Sequence, residues 1–310
     1  MTYAARRNRC AQAHSATAQP SERKRAPPAV ARGLGGVAPI KNEGNDSMIT
    51  KKIYPWLYSI HDPLGVYSFL VVGKTGALLY DTGFGVWPIV DDVRKITDLP
   101  LTVVLGHGHV DHANGAFDFD EVWIHPEDYE LCLRHTSRTM RRGIIGDITV
   151  EGHSPPPEFD ESVYVESGSY SKREVFKHLS DNQLFALGGI SVQVVPMEGH
   201  TAGSVGILVP EHKTLLTSDA SNNHIWMFLN ESLPIKSYIA MLKRVRDLNF
   251  DTFFIGHSDE PKPKSDFDSF IRVATNIDVA KATPYPKMTE LSGFIYSEGE
   301  FSIVFRKNRL

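Results

Sequence analysis

From residue 48 onward the chain alternates two kinds of hydrophobic pattern. Residues 53–60, 67–72 and 77–80 are β-branched and aromatic runs bounded by Gly, Pro and Asp, and are expected as strands. Gly73-Lys74-Thr75-Gly76 is the turn between two of them. Trp87, Val90, Val93 and Ile96 then recur at helical spacing, predicting a helix over 87–97 that stops before Pro100. Residues 101–105 and 121–125 are short strands, and 126–135 is a helix with Pro126 in its first turn. Strands are expected again at 184–187, 190–196, 205–209, 214–217 and 252–255, and helices at 235–248 and 267–277. Residues 294–296 and 301–305 flank Ser297-Glu298-Gly299-Glu300 as a closing hairpin. So many separated apolar segments suit one core between two layers of sheet with helices outside, an α/β architecture.

Two stretches break the pattern. Residues 136–183 are rich in Gly, Pro, Ser and charge, and read as an insertion with short helical pieces, a lid or pocket wall. Residues 1–47 are Ala, Arg, Pro, Gly and Ser with little apolar content, too little to offset ordering entropy. They are expected to be a disordered extension, with 48–310 as a single domain. No 7–15-residue apolar core marks a secretory signal, although an Arg-rich, acid-poor start has some transit-peptide character.

Composition limits the partners. Of 310 residues, 41% are apolar and 23% charged, as in an ordinary globular chain. No run approaches the roughly 18 apolar residues of a membrane helix, so no membrane partner is expected. Cys10 and Cys132 are the only cysteines, which excludes a disulfide framework and makes the cytoplasm the default location. The net charge of −4 divides unevenly: 8 Lys/Arg against 3 Asp/Glu in 1–47, then 25 against 34, a body of −9. An acidic body does not favour nucleic acid. A small molecule is the expected substrate, and association with a second copy of the chain is left open.

The chemistry gathers just past the strands. His107-Gly108-His109-Val110-Asp111-His112 puts four potential metal ligands within six residues, directly after 101–105. Imidazole with carboxylate suits Zn, Fe or Mn, and the lack of cysteine disfavours a closed structural zinc site. Gly199-His200-Thr201, Ser218-Asp219-Ala220 and Gly256-His257-Ser258 each follow another strand. Together they provide five histidines and two aspartates, enough for two ions. No GxSxG nucleophile elbow and no GxGxxG dinucleotide loop occurs.

With Asp81-Thr82-Gly83 ahead of them, these motifs make the chain resemble the metallo-β-lactamase-fold superfamily of metallohydrolases. The motifs run in the family's order from Asp81 to His257. The resemblance implies a four-layer αββα sandwich and two divalent ions, zinc first, with iron or manganese as alternatives. It implies that His107, His109 and His200 hold the first ion, that Asp111, His112 and His257 hold the second, and that Asp219 bridges them. Asp81 would fix the HxHxDH loop from behind, or simply cap a turn before Gly83. A water shared by the ions would supply the hydroxide, and Asp111 would be the catalytic group that orients it or carries a proton.

Departures narrow the expectation. Zinc β-lactamases with a second-site cysteine carry it where this chain has Asp219, whereas a bridging aspartate resembles glyoxalase II, lactonases and related thioesterases. The chain after His257 is one helix and a hairpin, unlike the helical glutathione-binding domain of glyoxalase II. The expected reaction is hydrolysis of a lactone, ester, thioester or lactam. A mononuclear-iron persulfide dioxygenase is the alternative, and a phosphodiesterase or nuclease a weaker one. Substrate contacts are expected from Asn222, His224 and Trp226, which follow the bridging aspartate, and from His61. Arg138, Arg141 and Arg142 would meet an anionic substrate or form a solvated face.

Overall fold

The computed structural model describes residues 47–150, 152–167, 175–288 and 291–310. The expected disorder of 1–47 thus falls, Ser47 apart, outside the described residues. Seven strands form the first sheet in sequential order: β1 (Ile49–Tyr54), β2 (Leu57–His61), β3 (Tyr67–Val72), β4 (Ala77–Tyr80), β5 (Leu101–Val104), β6 (Val122–Ile124) and β7 (Phe176–His178). The second sheet contains β8 (Leu184–Ala186), β9 (Ser191–Pro196), β10 (Val205–Val209), β11 (Thr214–Leu216), β13 (Thr252–Ile255) and β14 (Ser258–Pro263), ordered β14-β13-β11-β10-β9-β8. A third, smaller sheet has β12 (His224–Met227) beside β17 (Phe301–Phe305), then β16 (Leu291–Glu298) and β15 (Thr283–Met288).

Period-two alternation assigns each strand's two faces. Leu78 and Tyr80 of β4, with Phe69 and Val71 of β3, turn inward and meet Val192, Val194, Ile207 and Phe254 of the second sheet. Ala77 and Leu79 turn outward, under Ile89 and Val93 of helix α1 (Ile89–Ile96) and Cys132 and Leu133 of helix α3 (Pro126–His135). On the far side, Leu208, Leu215 and Phe253 pack on Tyr238, Met241 and Val245 of α6 (Ile235–Arg246) and Phe267 and Phe270 of α7 (Asp266–Thr275). The result is helix, sheet, sheet, helix, the αββα sandwich that the resemblance implied.

Several boundaries differ from the sequence reading, each for a local reason. The run 53–60 is two strands, β1 and β2, because Pro55 with Trp56 forms a two-residue loop in which Tyr54 pairs with Leu57. Helix α1 begins at Ile89 rather than 87, since the residue ahead of Pro88 is pushed toward extended backbone. Strands β14 and β15 were not legible: their SDEPKP and TPYPKM sequences are proline-bearing and mostly polar. Both lie at sheet edges, where a missing N–H faces no partner strand.

The insertion at 136–183 is more structured than expected. It contains helices α4 (Arg138–Val150) and α5 (Glu161–Ser167), and it supplies β7 to the first sheet. Ile144, Ile148 and Tyr164 pack against Phe84, Trp87 and Val110, beside the short helix α2 (Val110–Ala113). Arg141 is buried there: Nε donates to Asn114 Oδ1 (3.1 Å), the guanidinium also donates to the Tyr164 carbonyl, and it lies 4.4 Å over the Tyr164 ring. It therefore pins the insertion to the segment that follows the HxHxDH motif instead of facing solvent.

Candidate metal centre

Four strands end in the loops that build the site. β5 runs into the HxHxDH segment, β9 into Gly199-His200-Thr201, β11 into the turn at Ser218–Ala220, and β13 into Gly256-His257. Asp81, His107, His109, Asp111, His112 and His200 are each buried, and Asp219 and His257 are part-buried.

Two clusters result. In the first, His107 Nε2 and His200 Nε2 lie 2.9 and 3.0 Å from His109 Nδ1. In the second, Asp111, His112, Asp219 and His257 bring one ligand atom each within 4.8 Å of one another. His257 Nε2 is 3.2 Å from Asp219 Oδ1, and His112 Nε2 is 3.3 Å from Asp111 Oδ2. Asp219 Oδ2 is 3.6 Å from His112 Nε2 and 3.9 Å from His200 Nε2, so this carboxylate lies between the clusters.

The outward nitrogen of every ring is engaged, which sets the tautomers from the hydrogen-bond network. His112 Nδ1 donates to Asp81 Oδ2 (2.9 Å), His200 Nδ1 to the Trp226 carbonyl (2.8 Å) and His109 Nε2 to Glu231 Oε1 (2.7 Å). His107 Nδ1 faces Ser218 Oγ and His257 Nδ1 faces the Gly65 carbonyl, both at 3.3 Å. The inward nitrogens are left as lone-pair donors. Asp111 Oδ2, His112 Nε2 and Asp219 Oδ1 are buried without a hydrogen-bond partner among the described residues. Unpartnered buried atoms are costly, about 1–3 kcal/mol each. Anionic and imidazole donors orphaned face to face fit a divalent cation, and an N/O donor set of this kind suits zinc, iron or manganese.

The local electrostatics agree. Burial, then the neighbouring imidazoles, hold His107 well below the ordinary histidine value, and His200 is lowered by burial and His109. Both are thus neutral and able to coordinate. Burial opposes charge on His112, yet Asp111, Asp219 and Asp81 carry it well above the usual value. Burial likewise opposes charge on Asp111, but His112 pulls it down to about 2.

Backbone strain is concentrated at the same place. Asp81 (φ 66°) and Ser218 (φ 48°) are left-handed non-glycine residues, a conformation costing on the order of 1–3 kcal/mol each. They hold each other: Ser218 Oγ donates to Asp81 Oδ2 at 2.6 Å, while Asp81 Oδ1 accepts the Gly106 N–H at 2.7 Å. Asp81 thus orients His112 and the HxHxDH loop, beyond any turn-capping role. A Cβ on Gly256 would stand 2.6 Å from His112 Cε1 and 2.8 Å from Asp219 Oδ1, so only glycine lets this strand end pass the second cluster.

Three acidic residues of the site escaped the sequence reading. Buried Asp128 of α3 accepts the N–H groups of Gly108 (2.8 Å) and Gly203 (2.7 Å) and the Thr201 hydroxyl (2.7 Å), tying the two ligand loops of the first cluster together. Glu231 backs His109, and His135 stacks on that imidazole at 5.0 Å; burial opposes charge on Glu231, but its bond to His109 lowers it to about 2. Asp62 accepts the N–H groups of Leu64 and Val66, and burial raises it to about 7. No local pattern distinguishes any of the three.

The expected substrate contacts are distributed differently. Trp226 contributes its carbonyl to His200, and its ring lies with Phe228 and Tyr285. His224 is engaged by Ser302 Oγ (2.6 Å) and Tyr285 OH (3.3 Å), Asn222 accepts the His224 N–H (3.4 Å), and His61 stacks on Tyr67 at 4.4 Å. None of these three belongs to either cluster. Arg138 pairs with Glu166.

Comparison with known proteins agrees with this architecture. Residues 61–257 match the family model of the metallo-beta-lactamase superfamily. The acyl-coenzyme A thioesterase MBLAC2 of Gallus gallus is 24% identical over 189 residues, 58% of this chain and 66% of that protein's length, just under two thirds of it. A metallo-beta-lactamase from Pontibacter korlensis superposes with a TM-score of 0.51 at 16% identity, covering 74% of this chain and 100% of that one. The DIM-1 metallo-beta-lactamase, in a structure exposed to ceftazidime, gives 0.51 at 14%, covering 74% and 97%. At such identities the structural likeness speaks for the fold alone. The family match covers more than half of the chain: this protein belongs to the metallo-β-lactamase superfamily.

Proposed function

We propose that the chain is a dinuclear metal-dependent hydrolase of a carbonyl substrate, with a thioester foremost among lactone, ester, thioester and lactam. The observation that carries the dinuclear reading is the position of Asp219 between two donor clusters, one of which has three orphaned buried atoms. His107, His109 and His200 would hold one ion, and Asp111, His112 and His257 the other, with Asp219 shared. Bound there, the ions supply a Lewis acid for the substrate carbonyl and a water acidified toward neutrality.

The protein's part is positioning and proton handling. Asp219, between the clusters, and Asp111, beside it in the second, are acceptors that orient a water for attack on the carbonyl carbon. The proton released on attack passes to Asp111 and then to the leaving thiolate or alkoxide. Asp81, Glu231 and the Trp226 carbonyl keep the imidazoles from rotating out of register. The thioester preference rests on the name of the Gallus gallus relative and on the aspartate at position 219.

Metal quantification on purified protein, alongside lactone, thioester, ester, β-lactam and phosphodiester substrates, tests the reading. Two divalent ions per chain and carbonyl hydrolysis that a chelator abolishes are expected. One iron per chain with persulfide oxidation would replace this reading with that of a dioxygenase. Phosphodiesters outperforming every carbonyl substrate in kcat/KM would refute the substrate class.

A further inference from the structure

Beside the metal centre the chain carries three cations within four residues. Arg306, Lys307 and Arg309 follow directly on β17. Arg306 donates to Asn230 Oδ1 at 3.0 Å and Arg309 to the Asn230 carbonyl at 2.8 Å, while the Lys307 ammonium lies 4.3 Å over the Phe294 ring. Among the described residues none of the three pairs with a carboxylate, although the body carries a net charge of −9. Each guanidinium uses one N–H group on a neutral partner and retains a free fork of donors.

Their position is determined by the centre itself. Asn230 precedes Glu231, whose carboxylate is 2.7 Å from His109 Nε2. The same loop is fastened to the other ligand loop: Ser232 Oγ donates to the His200 carbonyl (2.9 Å) and the Leu233 N–H to the Gly199 carbonyl (2.8 Å). Only Asn230 and Glu231 lie between the cations' anchor and the first cluster. Strand pairing puts Trp226 opposite Val304 and Met227 opposite Phe305, so Arg306 continues the row beside β12. The rings of Trp226, Phe228 and Tyr285 lie 5.5–6.3 Å apart, and Trp226 also supplies the carbonyl that holds His200.

We propose that Arg306, Lys307 and Arg309 form a subsite for the phosphate-bearing handle of an acyl thioester, with the half-buried Trp226 and Tyr285 rings, backed by buried Phe228, beneath the uncharged arm that joins handle to thioester. This rests on the thioester reading above and specifies its substrate class. Arginine forks match phosphate oxygens in paired N–H···O contacts, and unpaired cations clustered in an acidic body draw anions to this rim. The arrangement holds charge away from the reacting carbonyl, so the centre meets a neutral acyl group while affinity comes from the far end. A carrier thiol such as coenzyme A has this form; a phosphopantetheine arm on a protein shares its chemistry at one phosphate.

Two measurements separate this proposal from the reading beneath it. In the first, metal-loaded protein is titrated with coenzyme A and with pantetheine, which has the same thiol arm without the phosphates. Coenzyme A binding at least tenfold tighter is expected, with the advantage shrinking in high salt and lost in Arg306→Gln/Arg309→Gln and in Lys307→Glu, whose side chain makes no contact with Asn230. Competition by 3′,5′-ADP assigns the recognition to the nucleotide phosphates; its failure, with tight coenzyme A binding intact, assigns it to the pantetheine-proximal phosphates. In the second, kcat/KM for an acyl-coenzyme A is divided by that for the same acyl group on N-acetylcysteamine, and the ratio should fall tenfold or more in the variants. Equal binding of coenzyme A and pantetheine, or a ratio unchanged in variants that melt like wild type, overturns the subsite even if thioesters are hydrolysed. Tight coenzyme A binding without hydrolysis of any thioester leaves the subsite standing and overturns the thioester reaction instead.

Discussion

Asp128 is the sharpest place to perturb the centre without touching a ligand. Its carboxylate is buried and accepts two backbone N–H groups, from Gly108 and Gly203, and the Thr201 hydroxyl. Gly108 lies between His107 and His109, and Thr201 follows His200, so one carboxylate spans all three ligands of the first cluster. In Asp128→Asn one oxygen becomes an NH2 group. With the amide oxygen kept toward Gly108 and Thr201, the NH2 points at the Gly203 N–H, leaving both that donor and the new amide N–H unsatisfied at roughly 2–6 kcal/mol together. In Asp128→Ala both N–H groups lose their acceptor, while the Thr201 hydroxyl retains Ser204 Oγ at 2.7 Å, giving roughly 2–6 kcal/mol. Against a total stability on the order of 5–15 kcal/mol, either substitution removes a large share. Urea unfolding of the metal-depleted chain reads the first effect: at about 2 kcal/mol per molar, the asparagine midpoint falls by on the order of 1 M. Chelator competition reads the second, with the His107–His109–His200 ion lost ahead of the other. The reasoning fails if both variants unfold within about 0.5 kcal/mol of wild type, or if the Asp111–His257 cluster empties first.

Other perturbations test separate parts of the centre. Asp219→Ala should lower occupancy at both clusters and His257→Ala chiefly at the second; elemental analysis returning two ions per chain in both variants would refute the shared position of Asp219. Gly256→Ala forces a Cβ to 2.6 Å from His112 and should deplete the second ion by tenfold or more in affinity, as followed by cobalt absorption. Glu231→Ala should weaken the first ion about 10–100-fold, as loss of a carboxylate behind a coordinating histidine does, with Glu231→Gln intermediate because its amide oxygen still accepts from Nε2. Asp62, raised to about 7 by burial, keeps its proton in the fold while the unfolded chain ionises near 4. Stability of metal-depleted protein should therefore fall as pH rises from about 4 to 7 and level off above, by up to ~4 kcal/mol. Melting scans of Asp62→Asn should lack that slope; a parallel slope in both proteins would show that another group causes it.

What the sequence determined by itself was local. Strands with alternating faces, such as β3 and β4, and helices such as α3 were legible because side-chain periodicity and proline placement act within a few residues. The HxHxDH segment was legible for the same reason: four potential ligands fall within six positions, and the motif order from Asp81 to His257 carried the resemblance to the family. Tertiary structure alone decided the rest. Asp128 is separated from Thr201 by 73 residues and Glu231 from His109 by 122, so no window of sequence contains either pair. Arg141 reads as one member of a charge run, and only packing against Asn114 and Tyr164 makes it a buried pin. The proline-bearing strands β14 and β15 look like loops until a sheet edge gives them a neighbour on one side and none on the other. The cations at 306–309 gain meaning only through Asn230, because the charge that matters to a site is the one held next to it, and distance in space is set by the fold.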